Sequence, residues 1–329
     1  AGYAKNFGDA AAQNPDSKRV SLVTLEVADR RLGLLARAGR QTRNGDGLLG
    51  TFDGLFLGYQ WKPAWGLTAT AGYPVERTDA PVQTVRQFEA VSINYTPQRA
   101  HWDASMYTIV QNFDGLSDRQ AVGMQGRYLV PKMSLITLVE YDTLFNSLNA
   151  LSFLGTFQLP ARWSMSIDLE NRNSPVITTR NSLIGQPVNT LAEMQQVFTL
   201  DQIYQLARDR TPITSNYSLT ASRPLGQRFQ FSTTVSLSET AETIASGGVN
   251  AQPASGVNLT YQAQLYGSSV WRSGDFHVVS LAFASTESGK LVSLGLTSRF
   301  PISGAWRLGP RLAIDRRTIR FHCAGETSG

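Results

Sequence analysis

Apolar and polar residues alternate with a period of two along most of the chain. In the segment 163–170 every odd position is apolar and every even position is polar, and 229–238, 257–265 and 306–315 repeat this alternation with few exceptions. Successive side chains of a β-strand point to opposite faces of the sheet, so each segment has one apolar and one polar face. The pattern therefore predicts many amphipathic strands.

The number and length of these segments predict the fold class. There are about sixteen, each of roughly nine to twelve residues, which is the length that crosses a bilayer obliquely. We expect an all-β protein, a transmembrane antiparallel up-and-down β-barrel. The predicted strands are 20–28, 32–43, 50–60, 66–74, 87–96, 101–113, 119–129, 134–145, 149–158, 163–173, 214–223, 228–239, 257–270, 276–286, 290–300 and 305–315.

Tight turns alternate with longer connections between these segments. Turns such as 131–132 and 224–226 contain proline or glycine. The looser connections are near 75–86, 114–118, 174–213 and 240–256. Short periplasmic turns on one side and longer external loops on the other are typical of outer-membrane barrels.

Aromatic residues concentrate near the tight turns. Rings with an apolar body and a polar edge prefer the headgroup level of a membrane, which predicts one interfacial girdle. Ordinary enrichment of aromatics in strands is the alternative. The predicted girdle consists of Trp61, Trp65, Tyr95, Trp102, Tyr128, Trp163, Phe229, Trp271, Phe276, Phe300 and Trp306.

One stretch departs from the alternation and predicts a short helical insertion at 183–210. Thr190 with Glu193, and Thr199 with Gln202, have the spacing of two capping boxes. Apolar positions recur at helical spacing after each, with Val197 in the first stripe. The loop is expected to lie outside the barrel, to fold inward across its mouth, or to decorate the surface.

Composition and charge exclude several classes of protein and of binding site. The chain has 42% hydrophobic and only 17% charged residues, and no apolar run long enough for a membrane-spanning helix. A single cysteine, Cys323, excludes an internal disulfide framework and a cysteine-based zinc site. The net charge of +5 comes from scattered residues, so we expect no nucleic-acid partner.

The predicted domain organisation is simple. Residues 1–19 are a loop or the remnant of a preceding strand, 20–318 form the barrel, and 319–329 form an unstructured tail. With short turns on the periplasmic side, both ends of the strand series would lie outside the cell. Since bacterial barrels have even strand numbers, we expect a parent barrel of at least eighteen strands, truncated here at both ends.

No constellation of residues indicates catalysis, a metal or a cofactor. His101 and Asp103 share a strand face and could support proton transfer, but a polar lumen position is the favoured interpretation. No nucleophile elbow, P-loop, or zinc-protease motif occurs. We therefore expect a protein that is not an enzyme and needs no cofactor.

The remaining candidate chemistry is the polar wall of the lumen. Opposed bands of charge across a pore would favour polar or zwitterionic solutes. Alternatively, the charges pair and fill a closed lumen. The predicted lumen-lining residues are Arg37, Asp103, Gln125, Arg127, Glu140, Asp142, Asp168, Glu170, Gln262, Gln264, Arg299, Arg307 and Arg311.

A glycine-rich hairpin, 39–54, resembles the hairpin of porin-like barrels of the alginate-export type. Most of the chain resembles the C-terminal barrel of outer-membrane proteins with upstream tetratricopeptide repeats. Asp209–Pro212 and Ser246–Val249 carry that resemblance. It implies an export conduit in the bacterial outer membrane, an exopolysaccharide cargo, and a tetratricopeptide-repeat scaffold upstream in the same parent chain. No such repeat occurs in this sequence.

Three functional classes are consistent with the sequence. The first is an outer-membrane pore or export conduit for polar solutes, with lipid and a polar solute or polysaccharide as its partners. The second is a structural or adhesive outer-membrane protein that acts through its external loops. The third, a soluble all-β binding protein, is disfavoured because open sheets rarely exceed about ten strands.

Overall fold

A computed structural model describes residues 2–5, 16–19, 21–75 and 82–319. Most of them lie in antiparallel strands, and the helices are two short ones in a single connection. The strands are β1 Gly2–Lys5, β2 Asp16–Arg19, β3 Val23–Asp29, β4 Leu34–Gly45, β5 Leu48–Lys62, β6 Trp65–Pro74, β7 Arg86–Tyr95, β8 Trp102–Phe113, β9 Leu116–Val130, β10 Met133–Asp142, β11 Ser147–Leu159, β12 Trp163–Asn173, β13 Ile213–Leu225, β14 Phe229–Thr240, β15 Asn258–Ser268, β16 Phe276–Thr286, β17 Gly289–Pro301, β18 Arg307–Leu308 and β19 Arg311–Ile319. The helices are α1 Leu191–Met194 and α2 Leu200–Asp209, with single 3₁₀ turns at Pro160–Arg162 and Thr179–Leu183.

The large sheet follows the chain in up-and-down order. Antiparallel ladders join each strand to the next from β3 to β17, and β17 continues to β18 and β19. This order runs around a barrel and brings β19 next to β3. Among the described residues no register joins these two strands, and both are exposed along their whole length. The sheet is therefore barrel-like, with a seam that the described residues do not close.

The all-β prediction is confirmed, and the long strands match the predicted segments. Two details of the prediction are wrong. The final strand lies at 311–319, because the chain turns at 302–306 and Gly309 and Pro310 separate β18 from β19. The connection predicted as loose at 114–118 is a tight turn at Asp114 and Gly115.

The predicted terminal segments are described only in part. Within 1–19, β1 and β2 pair with each other in a separate two-stranded sheet. The predicted tail at 319–329 lies outside the described residues except for Ile319, which ends β19.

The two faces of the sheet differ in chemistry. We call the inner face the one that carries the buried side chains of Phe52, Phe88 and Ile109. The opposite, outer face presents exposed apolar side chains on strand after strand. One such row runs across four paired strands through Leu265, Val279, Leu296 and Leu312.

The two ends of the sheet also differ. The turn end carries short connections such as 63–64 and 131–132, and the loop end carries the longest connections, 174–212 and 241–257. We call these the long loop and the second loop. None of the helices in the described part of the chain has the length and apolarity that a membrane-spanning helix requires.

Two facing glycines allow an unusually close approach between β5 and β6. Gly54 pairs with Gly72, and a Cβ at Gly54 would lie 2.1 Å from the carbonyl oxygen of Ala71. A Cβ at Gly72 would lie 2.4 Å from the carbonyl oxygen of Asp53. Both of these clashes would be with backbone atoms, so β5 and β6 would have to move apart to accommodate a side chain at either position.

Gly54→Ala should therefore lower the free energy of unfolding by about 1–3 kcal/mol, as overpacking commonly does. Gly58→Ala, in the same strand, is the control, because its Cβ would meet only ordinary contacts at 3.5 Å. Urea unfolding in detergent measures the difference. Equal stabilities of the two variants would contradict the close approach.

Candidate functional site: the loop-covered mouth

The helices of the long loop begin where their capping residues predict. Thr199 and Gln202 form a complete capping box: the Gln202 N–H donates to Thr199 Oγ1 at 3.3 Å, and the Thr199 N–H donates to Gln202 Oε1 at 2.8 Å. Thr190 accepts from the Glu193 N–H at 3.2 Å, but the Glu193 carboxylate accepts from Asn189 instead. The predicted capping box at Thr190 is therefore only half formed.

The long loop has an apolar core of its own. Leu191, Met194, Ile203 and Leu206 are buried together, and Phe113 from the end of β8 packs against them. The sequence prediction placed Val197 in the first apolar stripe, and this is wrong: the residue is 73% exposed. The α1 helix ends at Met194, so Val197 lies beyond the turn that would have kept it on that face.

The 3₁₀ turn of the long loop docks on the loop end of β9. Thr179 Oγ1 donates to the carbonyl of Ser117 at 2.6 Å, and the Arg180 N–H donates to Asp118 Oδ1 at 3.1 Å. Asp118 also accepts from Gln111 Nε2 at 2.5 Å and has no exposed side-chain surface. Of the three expected placements, the loop therefore takes the one that folds inward, over the inner-face ends of β8 and β9.

The β4–β5 turn also contacts the inner face. Asp46 forms an ion pair with Arg43 and accepts from Ser105 Oγ at 3.3 Å and from Gln125 Nε2 at 3.1 Å. The next residue, Gly47, has a φ of +77°, and a Cβ there would lie 2.7 Å from the Tyr107 ring. Glycine is thus required on both backbone and packing grounds.

A buried polar network lies beneath this turn. Glu140 is the common acceptor for Tyr107 Oη at 2.7 Å, for Arg119 and for Asn149 Nδ2. Arg119 also donates to the carbonyl of Gly47 at 3.2 Å. The network therefore connects the β4–β5 turn to β8, β9, β10 and β11 at the loop end of the inner face.

Between the long loop and the inner face lies a cavity of about 640 Å³, which we call the mouth cavity. Its floor includes Phe52, Phe88 and Ile109, and the loop supplies residues from Pro175 to Asn189. A volume of this size is typical of small-molecule sites.

The two motifs that carry the family resemblance meet at this end of the sheet. Arg210 Nη2 donates to the carbonyl of Ser246 at 2.5 Å, and its Nη1 donates to the carbonyl of Ile184. Gln186 Nε2 donates to the carbonyl of Gly247 at 2.9 Å. Burial lowers the pKa of Arg210, with the nearby Asp209 opposing the shift. One buried arginine thus fastens the long loop to the second loop.

The thirteen predicted lumen-lining residues all lie on the inner face by strand register. Several of their charges are paired. Arg127 contacts Asp103 at 2.9 Å, Arg37 contacts Glu26 at 2.5 Å, and Glu170 contacts Arg172 at 3.1 Å. Glu140 pairs with Arg119. Local pairing thus accounts for these charges better than opposed bands across the sheet.

Sequence reasoning missed the residues that build the mouth. Arg43 and Asp46 come from the β4–β5 hairpin, Tyr107 comes from β8, and Asp118 and Arg119 come from β9. Local periodicity does not report such long-range contacts. The available signal was Gly45-Asp46-Gly47, in which two glycines flank one carboxylate at the tip of a hairpin.

Four residues of the predicted girdle, Trp61, Trp65, Tyr95 and Trp102, form a row of neighbouring rings on the outer face near the turn end. Ring centroids are 6.1 Å apart for Trp61 and Trp65, 4.6 Å for Trp65 and Tyr95, and 5.1 Å for Tyr95 and Trp102. One predicted member is wrongly placed. Phe276 lies on the inner face, 6.3 Å from Tyr266, because it pairs with inward Arg299.

The histidines form no site of the predicted kind. Asp103 pairs with Arg127 instead of His101, and His322 lies outside the described residues. His277 contacts Ser298 Oγ at 3.0 Å and Asp275 at 3.3 Å. The described residues contain no cluster of potential metal ligands.

Asp275 fixes the 269–275 turn. Burial by itself would raise the pKa of Asp275, but N–H groups of Arg272, Trp271 and Val270, together with His277, lower it to about 2. The Asp275–His277–Ser298 contacts lie beside Trp271, whose ring centroid is 4.3 Å from that of His277. We assign them a structural role at the turn end.

Neither a scan against protein-family models nor a search of curated proteins gave a match.

Arg210→Gln should loosen the attachment between the two loops, because a buried hydrogen-bonding group left unsatisfied costs about 1–3 kcal/mol. We expect amide exchange at Ser246 and Val249 to become at least about tenfold faster. Arg208→Gln is the matched control, since Arg208 is exposed in the last turn of α2 and its side chain bonds Gln205 alone among the described residues. Unchanged exchange in Arg210→Gln would show that other contacts hold the loops together.

Proposed function

We propose that this chain forms an outer-membrane pore or export conduit for polar solutes and carries out no catalysis. The observation that carries the proposal is the division of the sheet into an apolar outer face and a polar inner one. Outward Leu237, Leu281 and Leu294 are each at least 39% exposed. An exposed apolar surface of this extent is unfavourable in water. Contact with lipid would remove that surface from water, and the strands are long enough to cross a bilayer.

The inner face supplies the polar path. Between β12 and β15 it consists largely of hydroxyl and amide side chains, and the Thr220 and Thr234 hydroxyls are 3.0 Å apart on paired strands. Inner residues of this region are Ser166, Ser218, Thr220, Thr234, Ser236 and Gln262. Uncharged donors and acceptors bind hydroxyl-rich solutes without holding them as strongly as unpaired charges would.

The resemblance to export barrels supports an exopolysaccharide as the cargo, since a glycan offers many hydroxyls to such a wall. It also supports a bacterial outer-membrane location and a tetratricopeptide-repeat scaffold upstream in the parent chain. The aromatic row at the turn end fits the headgroup level of the inner leaflet in this orientation. The loop-covered mouth then faces the outside.

Ion conductance in a planar lipid bilayer tests the proposal. The purified chain should give discrete conductance steps, and Ser236→Trp should reduce them, because the indole would occupy the inner path. Leu237→Trp, one residue further and on the outer face, should conduct like the parent chain. Absence of conductance steps in the parent chain would reject the pore.

A structural or adhesive role is the second candidate, and the folded long loop is the observation that favours it. The long loop has a buried core and is fastened to the second loop, so it could present a stable surface. This role requires no open path. A membrane-inserted chain without conductance would favour it over the pore.

A further inference from the structure

The turn end of the sheet is strongly basic. Each of the eight connections at this end contains, or directly adjoins, an exposed arginine or lysine. In the first four connections these residues are Arg30 with Arg31, Lys62, Arg99 and Lys132. In the last four they are Arg162, Arg228, Arg272 and Arg307. We call these nine residues the turn-end cations; they are far apart in the sequence, and the up-and-down topology gathers them at one end.

The carboxylates at this end offset little of that charge. Asp275 has no exposed side-chain surface and accepts from three backbone N–H groups of its own turn. Asp29, which ends β3, accepts from the N–H groups of Arg31 and Leu32 at 2.8 and 3.2 Å. Among the described residues none of the turn-end cations forms an ion pair, and Arg228 alone makes a side-chain hydrogen bond, to a backbone carbonyl at 3.3 Å. Their charge is therefore available to a partner.

The loop end has the opposite balance of charge. Its connections and the strand residues that adjoin them, so far as the structure describes them, contain eight aspartates and glutamates and four arginines. Solubility alone gives no reason to separate the two signs between the ends of one sheet. An anionic partner at the turn end gives such a reason, because a surface of one sign attracts the opposite sign.

The tryptophans indicate which anionic partner meets this end. All six tryptophans of the chain lie in or beside the turn-end connections: Trp61, Trp65, Trp102, Trp163, Trp271 and Trp306. Four of them are direct sequence neighbours of a turn-end cation, and Trp271 and Trp306 are 71% and 73% exposed. Exposed indoles prefer the headgroup level of a bilayer, which is also the level of the lipid phosphates. A soluble acidic partner would explain the cations but not the exposed indoles beside them.

We propose that the turn end binds the headgroups of anionic phospholipids, with the turn-end cations on the phosphates and the indoles beside them. Basic residues next to a membrane-spanning segment are attracted to a negatively charged leaflet. The inference rests on the proposed function and extends it, because it specifies the lipid that the barrel selects on its periplasmic side.

Quenching of tryptophan fluorescence by brominated lipids tests this, because every tryptophan of the chain reports on the turn end. The purified chain is reconstituted in phosphatidylcholine vesicles that contain a minor fraction of either brominated phosphatidylglycerol or brominated phosphatidylcholine. The affinity for phosphatidylglycerol relative to phosphatidylcholine should be at least about fivefold, the factor that one basic residue contributes at an anionic membrane surface. Raising the salt concentration from about 0.1 M to about 1 M should lower this ratio, because exposed charges are then screened.

The double variant Lys62→Gln with Arg99→Gln should lower the ratio at least about twofold, since each removed charge contributes to lipid attraction. Neither side chain makes a hydrogen bond among the described residues, so the fold should be retained. Lys290→Gln with Arg317→Gln is the matched control, because it removes one lysine and one arginine from exposed positions near the loop end. The control should keep the parent ratio.

Strong quenching by both lipids with a ratio near one would overturn the inference and assign the turn-end cations to a soluble acidic partner. An equal decrease in both double variants would also overturn it, because the position of the charge would then be irrelevant. No quenching by either lipid would reject this inference together with the membrane location. Quenching does not require an open lumen, so selective quenching without conductance rejects only the pore.

Discussion

The hydrogen-bond ladder between consecutive antiparallel strands is the constraint on which the rest of the structure depends. Each strand from β4 to β16 satisfies its backbone groups on two neighbours, and this fixes a register in which directly paired residues share a face. A shift of one residue would move every side chain of a strand to the other face. The division between apolar and polar faces therefore follows from the ladder.

The inner face is not uniform, and this asymmetry places the candidate site. From β5 to β9 it carries phenylalanines, paired charges and the inward-folded β4–β5 turn. From β12 to β15 it carries small hydroxyl side chains with few charges. The long loop covers the first half, so the mouth is narrowed on the side that already contains the polar network.

The sequence predicted the sheet well because strand alternation is a local property. The alternation in 163–170 matches β12 without correction. It predicted the mouth poorly, because the hydrogen bonds that build the mouth join residues far apart in the sequence. Asp46 and Gln125 are 79 positions apart, and Gly47 and Arg119 are 72 positions apart. The final strand was misplaced for a local reason: Pro310 interrupts the ladder without breaking the apolar alternation. Phe52 and Phe56 also escaped prediction as inner residues, since β5 is apolar on both faces.

The central claim is that one face of this sheet meets lipid and the other meets water. Spin labels at two neighbouring residues of β17, outer Leu294 and inner Ser293, test it most directly, with Cys323→Ser in the background. In lipid vesicles, a label at Leu294→Cys should collide with oxygen and be shielded from a water-soluble nickel complex, and a label at Ser293→Cys should show the reverse. Equal access of the nickel complex to both positions would contradict the account.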